Sequence, residues 1–483
     1  MRAFTRIFSF LLGIVALQLG AAVNATAADP HHPRLDDDGM LVVQGKRTFV
    51  LGSYWNPKTA AGLAELRQAG FNLVTSRADR ASLDAIADQD LLAWIPLGAK
   101  IAPADDGQEQ QLESLVQPLL NHPALTVWEA PDEALWNAWY LRNQKLAAQR
   151  NFIEKLVHEQ EQAGKDVSRV RSLLHQQAQA RARADWKAAE ALDRRTRELL
   201  AAPAQNPDIQ LSRAPAAAEE LRGRLLRGYR VLHRIDGRPV WMNYAPRNTT
   251  ADLGRYAEAA DIVGCDIYPV PVRDSTGHSD LPNRQLSSVG DYTRRFGRLD
   301  GNRPAWMVLQ GFGWRDIHQQ PRNAPAAAGR RPTPRESRFM LYDAIVCGAR
   351  GVLFWGVNYA QQPPAFWNEL KKVVHEASTL GPVWAARDAK LQATIAFEPT
   401  MGSVARPPRV LTKKLESQYY LLVVNEHYEG LGVRLEGLGE LEGAAASIVG
   451  DSTNCNLPAQ HVENGELAVQ MPGYSAAIVL IEH

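Results

Sequence analysis

Three carboxylates crowd into six residues, Trp128-Glu129-Ala130-Pro131-Asp132-Glu133, directly after the apolar run Ala124-Leu125-Thr126-Val127. A run of that kind reads as a short buried strand, and Pro131, which has no backbone N–H, ends it. The strand then delivers Glu129, Asp132 and Glu133 into a loop beside tryptophan. Carboxylates this close raise one another's pKa, so one can be a protonated acid while another stays ionised. Acid-catalysed cleavage of an acetal needs that division of labour, and aromatic rings suit the faces of sugars. A solvated loop is the plainer alternative, because most Asp and Glu are surface charges. The elements around the cluster favour chemistry.

Strand-like and helix-like segments alternate along the chain. Apolar runs fall at 49–54, 72–75, 91–97, 124–128, 239–244, 261–266, 305–310 and 351–355. Most lack strict alternation, as expected of a parallel sheet covered on both faces. Amphipathic helical stretches separate them at 59–69, 81–87, 108–120, 250–260, 284–299 and 335–347. Eight strands with helices between them predict an α/β fold of the TIM type, a (β/α)8 barrel over 40–387. That places the acidic loop after strand four, at the end where such barrels keep their chemistry. An open doubly wound sheet is the alternative, weakened by the lack of a Gly-x-Gly-x-x-Gly turn after the first strand.

Two departures from a plain barrel are expected. Between strands four and five, 138–235 is rich in Ala, Gln, Glu, Lys and Arg, with breaks near Gly164 and between Pro203 and Pro215. It reads as a helical hairpin inserted after the acidic loop, with a third helix returning as the barrel's own. Charged helices of this composition are most simply solvated spacers, though such an arm could also hold a protein partner. Beyond 388 the pattern changes to short runs with turn residues between them, at 391–396, 419–424, 433–435 and 476–481. A C-terminal β-sandwich over 388–483 follows.

Composition limits the partners. The formal net charge of the 483 residues is +1, which argues against nucleic acid or an anionic membrane surface as partner. Arg2 and Arg6, the apolar stretch 7–19 and the small-x-small triplet Ala25-Thr26-Ala27 read as a signal peptide over 1–27. Export to the periplasm or beyond is the expectation, with no membrane span left after cleavage. The three cysteines (Cys265, Cys347, Cys455) are far apart and odd in number, unlike a disulfide framework. No His-Glu-x-x-His, Cys-x-x-Cys or calcium-loop spacing occurs, so neither a metal nor another cofactor is expected. Nor is there a Gly-x-Ser-x-Gly elbow for serine chemistry.

A barrel with an Asp-Glu pair after strand four and a trailing sandwich resembles the clan A (β/α)8 glycoside hydrolases. Trp306-Met307-Val308-Leu309-Gln310-Gly311-Phe312-Gly313-Trp314, the segment 335–344 and the segment 348–356 are similar to a bacterial secreted group of that clan. The likeness spans 49–380 apart from the helical insert, and its motifs speak for the fold more than for a substrate. What it implies is an exported hydrolase acting on the glycosidic bonds of a poly- or oligosaccharide. The clan's acid/base, a Glu after Asn or Asp, corresponds to Glu133 after Asp132. Its nucleophile, a Glu ending strand seven, corresponds to Gln310, an amide that cannot attack an anomeric carbon as a carboxylate does.

Three accounts of Gln310 are open. Asp266, ending strand six, could supply the second carboxylate; retaining enzymes hold the two about 5–5.5 Å apart and inverting ones about 6.5–9.5 Å. Alternatively the Asp132–Glu133 pair resembles that of substrate-assisted hexosaminidases, with Asp132 orienting an acetamido group and Glu133 protonating the leaving oxygen. Or the protein binds carbohydrate without turning it over, since one barrel hosts many functions. Tyr54, Trp55 and Asn56 end strand one and are candidates for a sugar subsite, although Asn56 could instead hold the turn into Pro57. Asn243 and Tyr268 are polar where strands five and six open to the cleft. Trp128, Trp314 and Trp355 fall at strand ends, where ring stacking explains tryptophan better than core packing. Glu129 either faces the cleft or ties down its loop.

Overall fold

The structure, a computed structural model, describes residues 32–246, 248–271, 281–299, 301, 303–317, 327–361, 364–397, 404, 406–451 and 455–482. The expected signal segment, 1–27, lies outside the described residues.

Eight parallel strands close into a barrel. In chain order they are Val50–Ser53, Leu73–Thr75, Leu92–Pro96, Leu125–Glu129, Val240–Tyr244, Ile262–Ile267, Ala305–Gln310 and Ala349–Trp355, here strands one to eight. Each pairs in parallel with its sequence neighbours, and strand eight closes on strand one. Strand four runs one residue farther than its apolar run, because Glu129 still pairs with Pro96 and Trp241.

The strands look uniformly apolar in sequence because both faces are buried. Their outward residues, among them Leu51, Ile95, Leu125, Met242 and Phe354, pack on the helices in the main core. The inward residues form a second core of Val50, Leu73, Trp94, Val127, Trp241, Ile262, Trp306 and Leu353. Leu41 and Val43 join it from a small N-terminal sheet that caps the barrel floor. The lumen is filled tightly: a Cβ on Gly351 would stand 2.9 Å from the Trp306 ring, so only glycine fits there.

The insert holds one more helix than the expected hairpin. Ala134–Gln162, Ser168–Ala182 and Trp186–Leu200 precede the barrel's own Ala214–Ile235. The break before Trp186 carries no Gly or Pro. Ala184 takes φ +55 there, and the Asp185 side chain caps the next helix by accepting from the Ala188 N–H. The insert has its own small core of Ile153, Val157, Val170 and Leu200.

After the barrel, a three-stranded and a four-stranded antiparallel sheet enclose a separate core that includes Leu421, Val433, Val469 and Val479. This is the expected sandwich, with strands Arg409–Leu415, Ala445–Val449 and Leu467–Met471 beyond those read from sequence. It docks on the barrel helix Pro334–Val346. Arg338 of that helix, 5% exposed, donates to Ala476 O at 2.6 Å and pairs with Glu376 at 2.8 Å. Glu336 completes a capping box with Thr333 at the helix start. No described helix is long and apolar enough to cross a membrane.

Candidate active site

Residues two apart on a strand face the same side, so each strand's register decides what enters the lumen. At the C-terminal ends of strands four to seven the inward positions are Glu129, Asn243, Asp266 and Gln310, none more than 9% exposed. Beneath them the rings of Trp94, Trp241 and Trp306 meet at 5.8–5.9 Å and close the lumen.

Glu129 faces inward and is held there. Trp94 Nε1 donates to Oε2 at 2.8 Å and the Tyr54 hydroxyl to Oε1 at 3.3 Å. Burial, then the charge of Asp132, outweighs these donors and pushes the Glu129 pKa up to about 8. Burial also raises the Tyr54 phenol well above its ordinary range, so Tyr54 stays a donor.

From Glu129 the chain remains pinned to strand five. Ala130 N donates to Trp241 O at 2.8 Å and Glu133 N to Asn243 O at 3.1 Å. Glu133 ends this path at φ +48, a left-handed conformation that costs a residue with a Cβ about 1–2 kcal/mol. The turn aims the first insert helix, Ala134–Gln162, away from the barrel mouth and leaves Glu133 half-buried at its start. Burial, then Asp132, raises the Glu133 pKa to about 7.

Asn243 joins the remaining acids. Its Nδ2 donates to Asp132 Oδ1 at 2.8 Å and to Asp266 Oδ1 at 2.6 Å. Through this one amide the two carboxylates are held as neighbours. Asp132 is exposed as a residue, with its carboxylate turned inward to Asn243; lost hydration raises its pKa. Asp266 is raised well above the carboxylate range by burial, then by Asp132 and Glu133, while Asn243 and Tyr268 pull it down. With both N–H bonds of Asn243 given to carboxylates, its Oδ1 is buried without a hydrogen-bond partner among the described residues.

An aromatic wall flanks the acids on the side of strands six to eight. Tyr268 stacks on Trp355 at 5.8 Å and 27°, and Phe312 meets Trp355 edge-on at 5.0 Å and Trp314 at 5.2 Å. Tyr359 continues the wall outward and is 42% exposed.

Three of the residues singled out from sequence have other work. Trp128 points out of the barrel into the helix-facing core, fully buried, and its Nε1 donates to Asp236 at 2.6 Å. It cannot stack on a sugar, because Glu129 beside it takes the inward position. Gln310 is 0% exposed, and backbone partners occupy both ends of its amide. Its Nε2 donates to Val270 O and Phe312 O at 2.7 and 3.0 Å, and its Oε1 accepts from Val270 N at 2.9 Å. Asn56 ties a turn: Nδ2 donates to Thr75 O and Oδ1 accepts from Lys58 N, both at 2.9 Å. Trp55 points outward, edge-on to Trp367 at 6.2 Å, and lines a cavity beside the acids rather than the lumen. Trp94 and Phe312 also stand beside the acids; the apolar run 91–97 concealed the first, and the second was not singled out within the segment 306–314. Counting in twos from an inward Glu129 exposes the error at Trp128, but nothing in the uniform run 91–97 distinguishes Trp94.

No protein-family model and no curated protein sequence matches the chain. Among solved structures it is similar to a beta-galactosidase from Bacillus circulans sp. alkalophilus, with 10% identity over 90% of this chain and 99% of that one, at a TM-score of 0.47. It is also similar to an alpha-amylase from Geobacillus thermoleovorans complexed with acarbose (9% identity, 91% and 100% coverage, TM-score 0.46). A third is a GH30 endoxylanase from Clostridium papyrosolvens C71, at 8% identity, 91% and 97% coverage and a TM-score of 0.42. Likenesses this distant decide nothing about activity, which has to be read from the site.

Proposed function

We propose that the protein is an exported glycoside hydrolase in which Glu133 is the proton donor and the Asp132–Asp266 pair acts as the second carboxylate. The observation that carries this reading is the Asn243 bridge, which gathers two carboxylates beside a third whose pKa is raised to about 7. Glu129 also has a raised pKa, but two donors hold it beneath the site. Glu133 is the more open of the two and sits at the mouth.

Glu133 gives its proton to the glycosidic oxygen as the bond to the anomeric carbon breaks, and the electron pair leaves with that oxygen. Positive charge develops on the sugar and is stabilised by the Asp132–Asp266 pair, which shares one negative charge because like charges this close do not both ionise readily. A water then attacks the anomeric carbon and its proton passes to that pair. The aromatic wall of Tyr268, Trp314 and Trp355 supports the ring, and Asn243 keeps the two aspartates together beneath it.

The test is turnover of aryl glycosides with and without an acetamido group by the wild type, Glu133→Gln and Asp266→Asn. Turnover confined to acetamido sugars would move the nucleophile onto the substrate, with Asp132 orienting it. Turnover without that group, abolished by both substitutions, supports the reading above. One observation favours a carbohydrate-binding protein without turnover: Gln310 occupies the position where the clan's nucleophile is expected and is engaged with backbone. Sugar binding with no turnover of any glycoside, unaffected by Asp266→Asn, would select that reading.

A further inference from the structure

Beside the acids, at the ends of strands one to three, lies a cavity of about 640 Å³. Tyr54, whose hydroxyl bonds Glu129, forms its inner wall together with Pro96, which pairs with Glu129 in the sheet. The cavity therefore abuts the site, with Tyr54 between the two. Its charge is opposite. Lys58 and Arg77 line it and no carboxylate does among the described residues, whereas four carboxylates gather at strands four to six.

We propose that this cavity is a subsite for an acidic sugar, a uronic acid unit of the glycan, whose carboxylate is held between Lys58 and Arg77. The proposal rests on the glycosidase reading of the neighbouring acids and names the substrate class it would act on.

One side chain joins the backbone of the two loops that carry these cations. Asn56 accepts from Lys58 N and donates to Thr75 O, two residues before Arg77, and so ties the loops after strands one and two together. Lys58 itself is kept at φ +58, a conformation glycine would adopt without strain. A turn that needed only to reverse the chain would be met more easily by glycine at that position; lysine there puts a cation on the rim. Trp55 supplies an apolar face below it, and Ser76 lies between the loops. Arg77 is partly compensated by Asp79 at 3.5 Å, both side chains being open to water. Asp79 also caps the following helix by accepting from Ser82 N at 2.8 Å. The acids at strands four to six would repel a uronate carboxylate, so this end of the cleft is where it can settle.

The experiment separates the subsite from the chemistry by reading binding in Glu133→Gln. The probes are galacturonate and glucuronate oligomers, each as free acid and as the neutral methyl ester. At least one acid is expected to bind tenfold or more tightly than its ester, with a preference that shrinks as salt rises. Lys58→Gly together with Arg77→Gln should remove that preference; glycine suits the backbone at 58, and a thermal melt verifies the fold. Asp79→Asn keeps a capping side chain and frees Arg77, so the preference should grow. Equal affinity for acid and ester in both series, or a preference the double variant retains, overturns the subsite without touching turnover of neutral glycosides. Selective binding of the acid with no turnover of any glycan by the wild type upholds the subsite and counts against the hydrolase reading.

Discussion

Two groups of buried acids lie in this molecule, and they are built oppositely. At the barrel mouth the donors described for Glu129, Asp132 and Asp266 are neutral, Trp94, Tyr54, Tyr268 and Asn243, and Glu133 lies beside them. Every one of these carboxyls has its pKa raised. Between the barrel and the sandwich, Asp291 and Glu426 are met by arginines. Arg294 and Arg406 reach both acids, with Arg406 at 2.6 Å from each, and Arg409 adds a third contact to Glu426. Arg406 and the other donors hold Asp291 below its ordinary value despite its burial. Asp343, which faces Glu426 and accepts from Gly290 N at 2.7 Å, is raised even here. For Asp291 the arginines outweigh burial, whereas at the mouth burial prevails. Three arginines meet one cluster, whereas the donors described at the other are neutral, and perturbed acids gathered without a described cation suit a site better than a structural tie.

The comparison breaks first at Glu133. Glu133→Gln should lower kcat by about 10²–10⁴-fold, the range of a lost general acid, while thermal melts stay close to wild type. Full activity in a folded variant would return the acid to Glu129 or remove the chemistry altogether. At the arginine-met cluster the effect should be the reverse. Glu426→Gln leaves three guanidinium groups facing a neutral amide and should cost about 3–5 kcal/mol of stability in denaturant titrations, with kcat per folded molecule unchanged. Equal damage to activity would mean the sandwich interface is coupled to the site.

Glu129 and Glu133 on one side and Asp291 on the other should also respond to pH with opposite signs. Glu129 and Glu133 have folded pKa values of about 8 and about 7 against an ordinary 4.5. The folded state therefore binds more protons than the unfolded one across that window. Their stabilising contribution is complete below 4.5 and is lost as pH rises through about 7 and 8. Asp291, held below its ordinary 3.8, contributes above that value and loses its contribution as pH falls through the lowered one. Denaturation at fixed temperature from pH 2 to 9 checks this: the loss at high pH should shrink in Glu133→Gln, and the loss at low pH should shrink in Asp291→Asn. Activity should fall as pH rises past about 7, where Glu133 loses its proton.

Asp266→Asn sharpens the contrast further, because removing an uncompensated acid should raise stability at pH 8 by about 1–2 kcal/mol while turnover falls. A loss of stability would show that the charge of Asp266 is a structural partner of Tyr268 and Asn243. The smallest effect is expected at Trp128→Phe. It keeps most of the ring's burial and loses the bond to Asp236, about 1–2 kcal/mol, with sugar affinity unchanged. Weakened sugar binding would put Trp128 back in the cleft.

The barrel was legible in the chain because eight apolar runs of strand length alternate with amphipathic helices, and that pattern is a local property of the sequence. The helical insert was visible in composition, but its third break was not, because the turn at Ala184 uses neither glycine nor proline. The carboxylates at 129, 132 and 133 stood out for the same reason as the strands: they are neighbours in sequence. Asp266 could be named by position at the end of strand six. That one amide would bond both it and Asp132 could not, since Asp132, Asn243 and Asp266 are more than a hundred residues apart along the chain at the extremes. The inward or outward sense of each side chain belongs equally to the tertiary structure. In a strand buried on both faces hydrophobicity carries no phase, so Trp94 and Trp128 look alike as residues, yet one donates to Glu129 inside the barrel and the other to Asp236 outside it. The sequence by itself determined which elements form and which residue types reach the mouth of the barrel. Closure of the sheet decided which of them meet, because it sets the register between strands and so brings Asp132, Asn243 and Asp266 together.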